Sequence, residues 1–354
     1  MNPKRMQENG AGVDPRESAA RPTLEEVAAA AGVSRSTVSR VVNGSTAVSP
    51  EALEAVGAAI ERLGYVPNRA ARSLATRQTH AIALVVPEDT TRFFGDPFFA
   101  AVVAGISDRI ARSDYVLNLL VASDDPDGRV TGFVRNGGVD GAIVLSYHTS
   151  DAFIDSIVEA VPVVFGGRPW AERESDYVVD VDNVTGARYA ADHLISAGRT
   201  RIATITGSLS MGAAEDRLQG FRKALLDAGL EPFAEVPGDY FEADGVRAAR
   251  ELLARAAEPG GRLPDAIFAA NDLMARGALE TLTAEGIRVP EDVAIVGYDD
   301  SPVAISTNPP LTTIRQPLHA LGEATAGVLI DLLTGATPPR RTVLETELVV
   351  RGSA

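Results

Sequence analysis

The residue types best suited to chemistry lie in the stretch GVSRSTVSRVVN, between Gly32 and Asn43. Arginine can bond two acceptors on a guanine edge, and serine can bond either bases or phosphates. On a helix that begins after residue 34, Arg35, Ser36 and Arg40 would lie on the outer face, opposite three valines. The pattern favours a DNA-reading helix, and the alternative is an ordinary surface helix with two exposed arginines.

Two further helices are predicted to position that stretch. Thr23 and Glu26 have the capping-box spacing, in which each side chain accepts from the other residue's backbone amide, so a first helix begins there. Gly32 can adopt the left-handed conformation that ends it. A third helix would begin after Ser49 and bury one apolar stripe, formed by Leu53, Val56, Ile60 and Leu63. Residues 21–67 are therefore predicted to be a helix-turn-helix DNA-binding domain.

A short basic segment follows this bundle. Asn68 could cap one more helix, but residues 68–80 offer no apolar stripe of their own to bury. Isolated helices this short are marginal in water. The segment is therefore predicted to be a hinge helix and linker that forms only when DNA or a second copy of the chain holds it.

Charge is distributed unevenly along the chain. Residues 1–80 carry ten basic and eight acidic side chains, whereas the other 274 residues carry 23 basic and 40 acidic ones. Only the amino-terminal part has the net positive charge that favours binding to a polyanion such as DNA. The acidic remainder should repel DNA and make binding strongly dependent on salt.

The composition also indicates the cellular compartment in which the protein is expected. Residues 1–20 are polar, without an apolar run, and are predicted to be a disordered tail rather than a signal peptide or anchor. We find no stretch of the ~20 apolar residues that a bilayer span needs. The chain has no cysteine, which fits a reducing cytoplasm. We therefore expect a cytoplasmic protein.

From residue 81 onward, short apolar strands alternate with helical stretches. The predicted strands are Ile82 to Val86, Val116 to Val121, Ala142 to Leu145, Val161 to Phe165, Val178 to Val181, Ile202 to Ile205, Ala266 to Phe268 and Val293 to Val296. Several are continuously apolar, as buried parallel strands are. The alternation predicts an α/β region, and its length predicts two doubly wound parallel sheets.

Polar residues follow several of these strands. Ligands bind at the carboxyl ends of parallel strands, and Asn271 and Asp299 lie at such ends. Arg217 lies near the start of a helical stretch. Carboxylates, amides and guanidinium groups can each bond two neighbouring hydroxyls, which favours a polyol ligand. The alternative is structural, with Asn271 and Asp299 as helix caps and Arg217 as a partner of Asp216.

Residues 22–77 resemble the headpiece and hinge of the lac repressor (LacI/GalR-type) family of bacterial transcription regulators. The matching motifs are Thr23-Leu24, Gly32-Val33-Ser34, Thr37 to Asn43, Gly64 to Asn68 and the spacing from Ala71 to Leu74. The resemblance implies DNA-binding residues Thr23, Ser34, Arg35, Ser36, Thr37, Ser39, Arg40, Asn43, Asn68, Ala71, Arg72 and Leu74. Leu74 would insert into the minor groove and kink the duplex, unless it packs into the next domain.

Residues 81–354 resemble the effector-binding and dimerisation core of the same family, which has the type I periplasmic binding-protein fold. In that fold the chain crosses three times between two lobes. We place the first lobe at about 81–164 and 315–335, and the second at about 165–314 and 336–354. The effector residues implied or suggested are Phe94, Asp96, Phe98, Arg168, Trp170, Arg217, Tyr240, Asn271, Asp299 and Gln316. Phe94, Phe98 and Trp170 could instead be core or surface residues.

The predicted function is sequence-specific transcription regulation by a homodimer on a pseudo-palindromic operator. The core looks most similar to members that respond to cellobiose or other β-glucosides, so the expected effector is a sugar that releases the DNA. A regulator with a purine co-repressor and a transporter's solute-binding protein remain alternatives. The four histidines have no metal-ligand spacing and the sequence contains no Gly-x-Ser-x-Gly motif, so we expect neither an enzyme nor a cofactor.

Overall fold

The computed structural model describes residues 22–42, 47–65 and 78–354. The chain divides between Thr79 and His80 into two compact units. The first is helical, and the second contains two mostly parallel sheets. This is the predicted fold class, an α-helical headpiece followed by a two-lobed α/β core. Within the described ranges, no helix is long and apolar enough to cross a membrane.

The first unit contains helices α1 (Leu24–Ala31), α2 (Arg35–Val42) and α3 (Pro50–Leu63). Thr23 and Glu26 form the predicted capping box at α1. Gly32 and Gly64 end α1 and α3 with φ of 66° and 61°. The helices enclose a small core of Val27, Ala28, Val38, Val56, Ala59 and Tyr65. Leu53 was predicted to be part of the buried stripe, but its side chain is exposed, and Ala59 lies in the core instead.

The second unit contains twelve strands. They are β1 (Ala81–Val86), β2 (Val116–Val121), β3 (Gly141–Leu145), β4 (Val163–Gly166), β5 (Tyr177–Val181), β6 (Ile202–Ile205), β7 (Ala234–Val236), β8 (Ala266–Ala269), β9 (Ala294–Asp299), β10 (Thr312–Arg315), β11 (Arg341–Leu344) and β12 (Glu347–Val349). The first sheet has the order β11-β5-β4-β3-β1-β2 and is entirely parallel. The second has the order β12-β10-β9-β8-β6-β7, with only β12 antiparallel.

Helices connect these strands and cover both sheets. They are α4 (Thr90–Gly95), α5 (Pro97–Ile110), α6 (Arg129–Arg135), α7 (Phe153–Val158), α8 (Asn183–Ser196), α9 (Gly212–Asp227), α10 (Glu242–Ala257), α11 (Asp272–Ala284), α12 (Pro302–Ser306) and α13 (Leu318–Leu333). Central strands such as β1 and β9 are buried along their whole length because helices lie on both faces. Each sheet with its helices forms one lobe.

The lobe boundaries differ from those predicted. Strand β5 and strand β11 both belong to the first sheet, so the first lobe extends to about residue 181 and includes 341–344. The chain crosses between lobes near residues 182, 316 and 345, and not near residue 165. The loop from residue 167 to 176 joins two neighbouring strands of one sheet and is therefore no crossing point.

Helices α5 and α13 pack closely where glycine leaves room for backbone contact. A methyl group at Gly105 would overlap the carbonyl of His319. Gly105→Ala is therefore expected to reduce the free energy of unfolding by about 1–3 kcal/mol. Gly132→Ala, on α6, is the matched control, because its methyl group would enter open space and improve helix propensity by about 0.5–1 kcal/mol. Urea unfolding of both variants tests this, and equal stabilities would contradict the packing.

Candidate functional site

Helix α2 presents a polar, basic outer face. Val38 is completely buried, which turns Arg35, Ser36 and Arg40 towards the exterior of the headpiece, where all three are exposed. Ser34 holds the start of the helix, since its Oγ accepts from the amide of Thr37 at 3.2 Å. The geometry offers guanidinium and hydroxyl groups to a groove, as a recognition helix requires.

The other predicted DNA-binding residues fall into two groups. Thr23, Ser34, Thr37 and Ser39 lie on or beside α1 and α2, in the described headpiece. Asn43, Asn68, Ala71, Arg72 and Leu74 lie outside the described residues. Arg35 forms an exposed ion pair with Glu25, with 3.0 Å between Nε and Oε1. Such a pair contributes at most about 1 kcal/mol, so a phosphate or base can replace Glu25.

A cavity lies between the two lobes of the core. Its walls include the carboxyl ends of strands in both sheets, where polar ligands are expected. Eight predicted effector residues line it, namely Asp96, Phe98, Arg168, Arg217, Tyr240, Asn271, Asp299 and Gln316. Phe94 and Trp170 lie outside it, with 76% and 41% of their surface exposed.

Arg217 is held by several partners in the cavity. It is buried, and its Nε donates to Asn183 Oδ1 at 2.9 Å while its Nη1 donates to the carbonyl of Ala270 at 2.6 Å. Its guanidinium carbon lies 3.8 Å from the centre of the Tyr298 ring. Asp299 Oδ1 lies 3.9 Å from its Nη1. The guanidinium is therefore fixed in position before any ligand arrives.

Two carboxyl ends of the second sheet supply the neighbouring polar groups. Asp299 ends β9 with φ of 109° and accepts from Gln316 Nε2 at 2.5 Å. Burial raises the pKa of the Asp299 carboxyl well above its usual range, against the opposing effect of Arg217. Asn271 caps α11 through Met274, and its Nδ2 donates to the carbonyl of Tyr240 at 2.8 Å. Asn271 therefore caps the helix, as one alternative expected, and also lines the cavity.

The first lobe contributes Asp96 and Phe98 at the start of α5. Asp96 Oδ1 accepts from the Phe98 amide at 2.9 Å, and burial raises the pKa of the Asp96 carboxyl. The Phe98 ring contacts Phe99 edge to face, with 5.3 Å between centroids. Carboxylate, aromatic ring and guanidinium together can bind the hydroxyls and the apolar face of a sugar.

Polar contacts join the lobes around the cavity. Arg168 reaches from the first lobe to Asp216 at 2.8 Å and Glu215 at 3.1 Å on α9. Arg92 of α4 lies 3.3 Å from Asp239 of the second lobe. These contacts hold the two lobes together, and each can be exchanged for water when the lobes separate.

A further tie between the lobes runs through His148. Its Nδ1 lies 2.7 Å from Ser210 Oγ in the second lobe, and its Nε2 lies 2.9 Å from Glu88 Oε1 in the first. Glu88 is buried and also accepts from Ser146 Oγ. Hydrogen bonds are directional, so these contacts constrain the relative orientation of the two lobes as well as their separation.

Sequence reasoning missed several further lining residues, among them the polar residues Arg92, Asp180 and Asn183. Asp180 accepts from the amides of Arg168 and Val181 and from Asn183 Nδ2. It therefore fixes the Arg168 backbone and, through Asn183, the Arg217 guanidinium. A charged residue inside the predicted strand Val178 to Val181 was the available signal, because such a residue is buried only where partners are provided.

The comparisons agree with this organisation. A family model described as "Bacterial regulatory proteins, lacI family" matches residues 23–68, and one described as "Periplasmic binding protein-like domain" matches residues 191–354. The HTH-type transcriptional regulator CelR of Thermobifida fusca is 48% identical over 340 residues, which cover 94% of this chain and 98% of that protein.

Two solved structures are similar over the same range. A transcriptional regulator CelR–cellobiose complex has 46% identity and a TM-score of 0.74, and the match covers 94% of this chain and 100% of the other. The lac repressor dimer bound to operator and the anti-inducer ONPF has 31% identity and a TM-score of 0.78, covering 94% and 98%. Both likenesses include the headpiece as well as the core.

The cavity should make stability depend on pH. Burial raises the pKa of the Asp180 carboxyl to about 6, whereas that of an unfolded aspartate is about 3.9. The stability contributed by the protonated form is complete below about pH 4 and is lost as pH rises through about 6. Urea unfolding between pH 4.5 and 7 should therefore show the wild type losing stability relative to Asp180→Asn. A constant difference across that range would contradict the assignment.

Proposed function

The chain belongs to the lacI family of bacterial regulatory proteins, and from that premise we propose that it is a sugar-responsive transcriptional repressor. It binds a pseudo-palindromic operator as a homodimer in the cytoplasm and catalyses no reaction. A sugar in the interlobe cavity releases the DNA. Cellobiose or a related β-glucoside is the best candidate, because the CelR–cellobiose complex matches nearly the whole chain.

The charge balance of the cavity is the observation that supports a neutral, hydroxyl-rich effector. Among the described lining residues, the arginines Arg92, Arg168 and Arg217 each lie within 4 Å of a carboxylate. An anionic ligand would have to compete with those carboxylates and would meet Asp96 and Asp180 as well. A neutral polyol can accept from the guanidinium groups and donate to the carboxylates at once. This arrangement favours a sugar over a sugar phosphate.

The headpiece supports DNA binding through α2. The exposed arginines and serines are of the types that read base edges and phosphates. Two copies related by a twofold axis would read two half-sites of a pseudo-palindrome. The coupling to the effector is proposed to pass through the hinge helix and linker predicted at residues 68–80. A sugar that binds the released form ~100-fold better would weaken operator affinity by the same factor, about 2.7 kcal/mol.

A direct test is fluorescence anisotropy of labelled DNA from upstream of the chain's own gene. The complex is titrated with cellobiose, glucose 6-phosphate and hypoxanthine in separate experiments. Release by cellobiose alone is the expected result. Tighter binding with hypoxanthine would replace the proposal by a co-repressor, and failure to bind any DNA would remove the regulator assignment.

Arg40→Ala is expected to weaken operator binding by about 1–3 kcal/mol, because it removes a guanidinium from the proposed recognition face. Arg135→Ala is the matched control, since it removes an equal charge from α6 of the core. Both are measured by anisotropy at one fixed salt concentration. Equal affinity for the two variants would show that α2 does not read the DNA.

Phe98→Ala is expected to weaken cellobiose binding about tenfold, because the sugar loses an apolar surface worth roughly 1–3 kcal/mol. Operator affinity in the absence of sugar should stay within a factor of about two of the wild type. Isothermal titration calorimetry gives the first quantity and anisotropy the second. An unchanged cellobiose affinity would remove Phe98 from the site.

A further inference from the structure

The segment of residues 208–212, between β6 and α9 of the second lobe, lies against the first lobe. We call this segment the clasp. In addition to the histidine contact described above, the carbonyl of Ser210 accepts from the Thr149 amide at 3.1 Å. The sulfur of Met211 lies 3.8 Å from Arg92 Nη2. The clasp therefore contacts the first lobe through backbone atoms as well as through side chains.

Gly212, the last residue of the clasp, lies directly against the loop that follows β4 of the first lobe. Its carbonyl accepts from Arg168 Nη2 at 3.3 Å. A methyl group on Gly212 would overlap the carbonyl oxygen of Arg168. Because that oxygen belongs to the backbone, no rotation of a side chain relieves the overlap. Glycine therefore allows the two lobes to approach as closely as they do here.

This close approach brings the Arg168 side chain to α9. Its Nε donates to Asp216 Oδ2 at 3.0 Å and its Nη2 donates to Oδ1 at 2.8 Å, a two-point contact of defined geometry. Arg168, Met211 and Gly212 line the effector cavity, whereas Asp216 does not. The clasp and the arginine held beside it therefore form part of the cavity wall.

We propose that Gly212 is a positioning residue for the effector, because the lack of a side chain there lets the clasp dock on the first lobe and hold Arg168 against Asp216 around a bound sugar. The part of this inference that concerns the sugar rests on the proposed function. The clasp is held by hydrogen bonds and an ion pair, so its docking is reversible. A side chain at position 212 shifts the equilibrium towards the undocked arrangement.

The first test is hydrogen exchange of the Thr149 amide in the full-length protein without ligand. This amide donates across the cleft to Ser210, so its exchange reports undocking of the clasp. Gly212→Ala should accelerate that exchange at least about tenfold. Gly220→Ala is the matched control on the same helix, because its methyl group would overlap the carbonyl of Val184 within the second lobe. It should lower the melting temperature and leave the exchange of Thr149 unchanged.

The second test is stopped-flow measurement of cellobiose binding, followed by the fluorescence of Trp170, the only tryptophan. Gly212→Ala should raise the dissociation rate constant about tenfold and change the association rate constant less than about twofold, because the clasp docks after the sugar enters. Asp216→Asn weakens the contact with Arg168 and should raise the dissociation rate constant about threefold. In the double variant the two effects should not add, because the methyl group already separates Arg168 from Asp216.

The outcomes separate this inference from the proposed function. Unchanged Thr149 exchange in Gly212→Ala, or equal acceleration in Gly220→Ala, would overturn the docking of the clasp. Additive effects of Gly212→Ala and Asp216→Asn on the dissociation rate would overturn the role of Arg168. Failure of cellobiose to bind the wild type would remove the proposed effector, and hydrogen exchange would then test the clasp by itself. Circular dichroism shows that each variant is folded.

Discussion

The buried guanidinium of Arg217 is the constraint on which the effector site depends. A charge removed from water is tolerated only when hydrogen bonds and an opposite charge replace the solvent. Asn183 and the carbonyl of Ala270 accept its hydrogen bonds, Asp299 lies 3.9 Å away, and the ring of Tyr298 covers one face. Since Asn183 begins α8, Ala270 follows β8 and Asp299 ends β9, the arginine ties these elements of the second lobe to α9. The walls of the cavity are therefore rigid where they belong to one lobe.

Across the cleft the contacts are of a different kind. Arg168 with Asp216, Arg92 with Asp239 and His148 with Ser210 join the lobes through polar groups rather than through an apolar core. Polar groups that lose these partners when the lobes separate regain water, so the net cost of opening is smaller than the strength of the bonds themselves. The fold thus combines two rigid lobes with an interface that can open. A ligand that bonds both lobes can bias this equilibrium, which is the physical basis proposed for its effect on DNA binding.

Much of this organisation could be predicted from the sequence. The caps at Thr23 and Gly32 and the apolar runs of β1 and β9 depend on neighbouring residues alone, and the family resemblance is confirmed by the match over 94% of the chain. Strand β10 was missed because Thr312 and Thr313 are polar, and they are buried only because Ser353 and Asp272 bond them from distant parts of the chain. The predicted lobe boundary was wrong because strand order is set by long-range pairing. Trp170, which follows β4, lies outside the cavity and is partly exposed, as the surface alternative expected. Asp180 was missed for the same reason, because its partners Arg168 and Asn183 meet it only in the folded sheet.

The most direct test of the account is the affinity of cellobiose for the free protein and for the protein saturated with operator DNA, both measured by calorimetry in one buffer. Coupling between two sites is reciprocal. The account predicts that operator-bound protein binds cellobiose more weakly, by the same factor by which cellobiose lowers operator affinity. Equal affinities in the two states would contradict it, because a sugar that does not distinguish them cannot release the DNA.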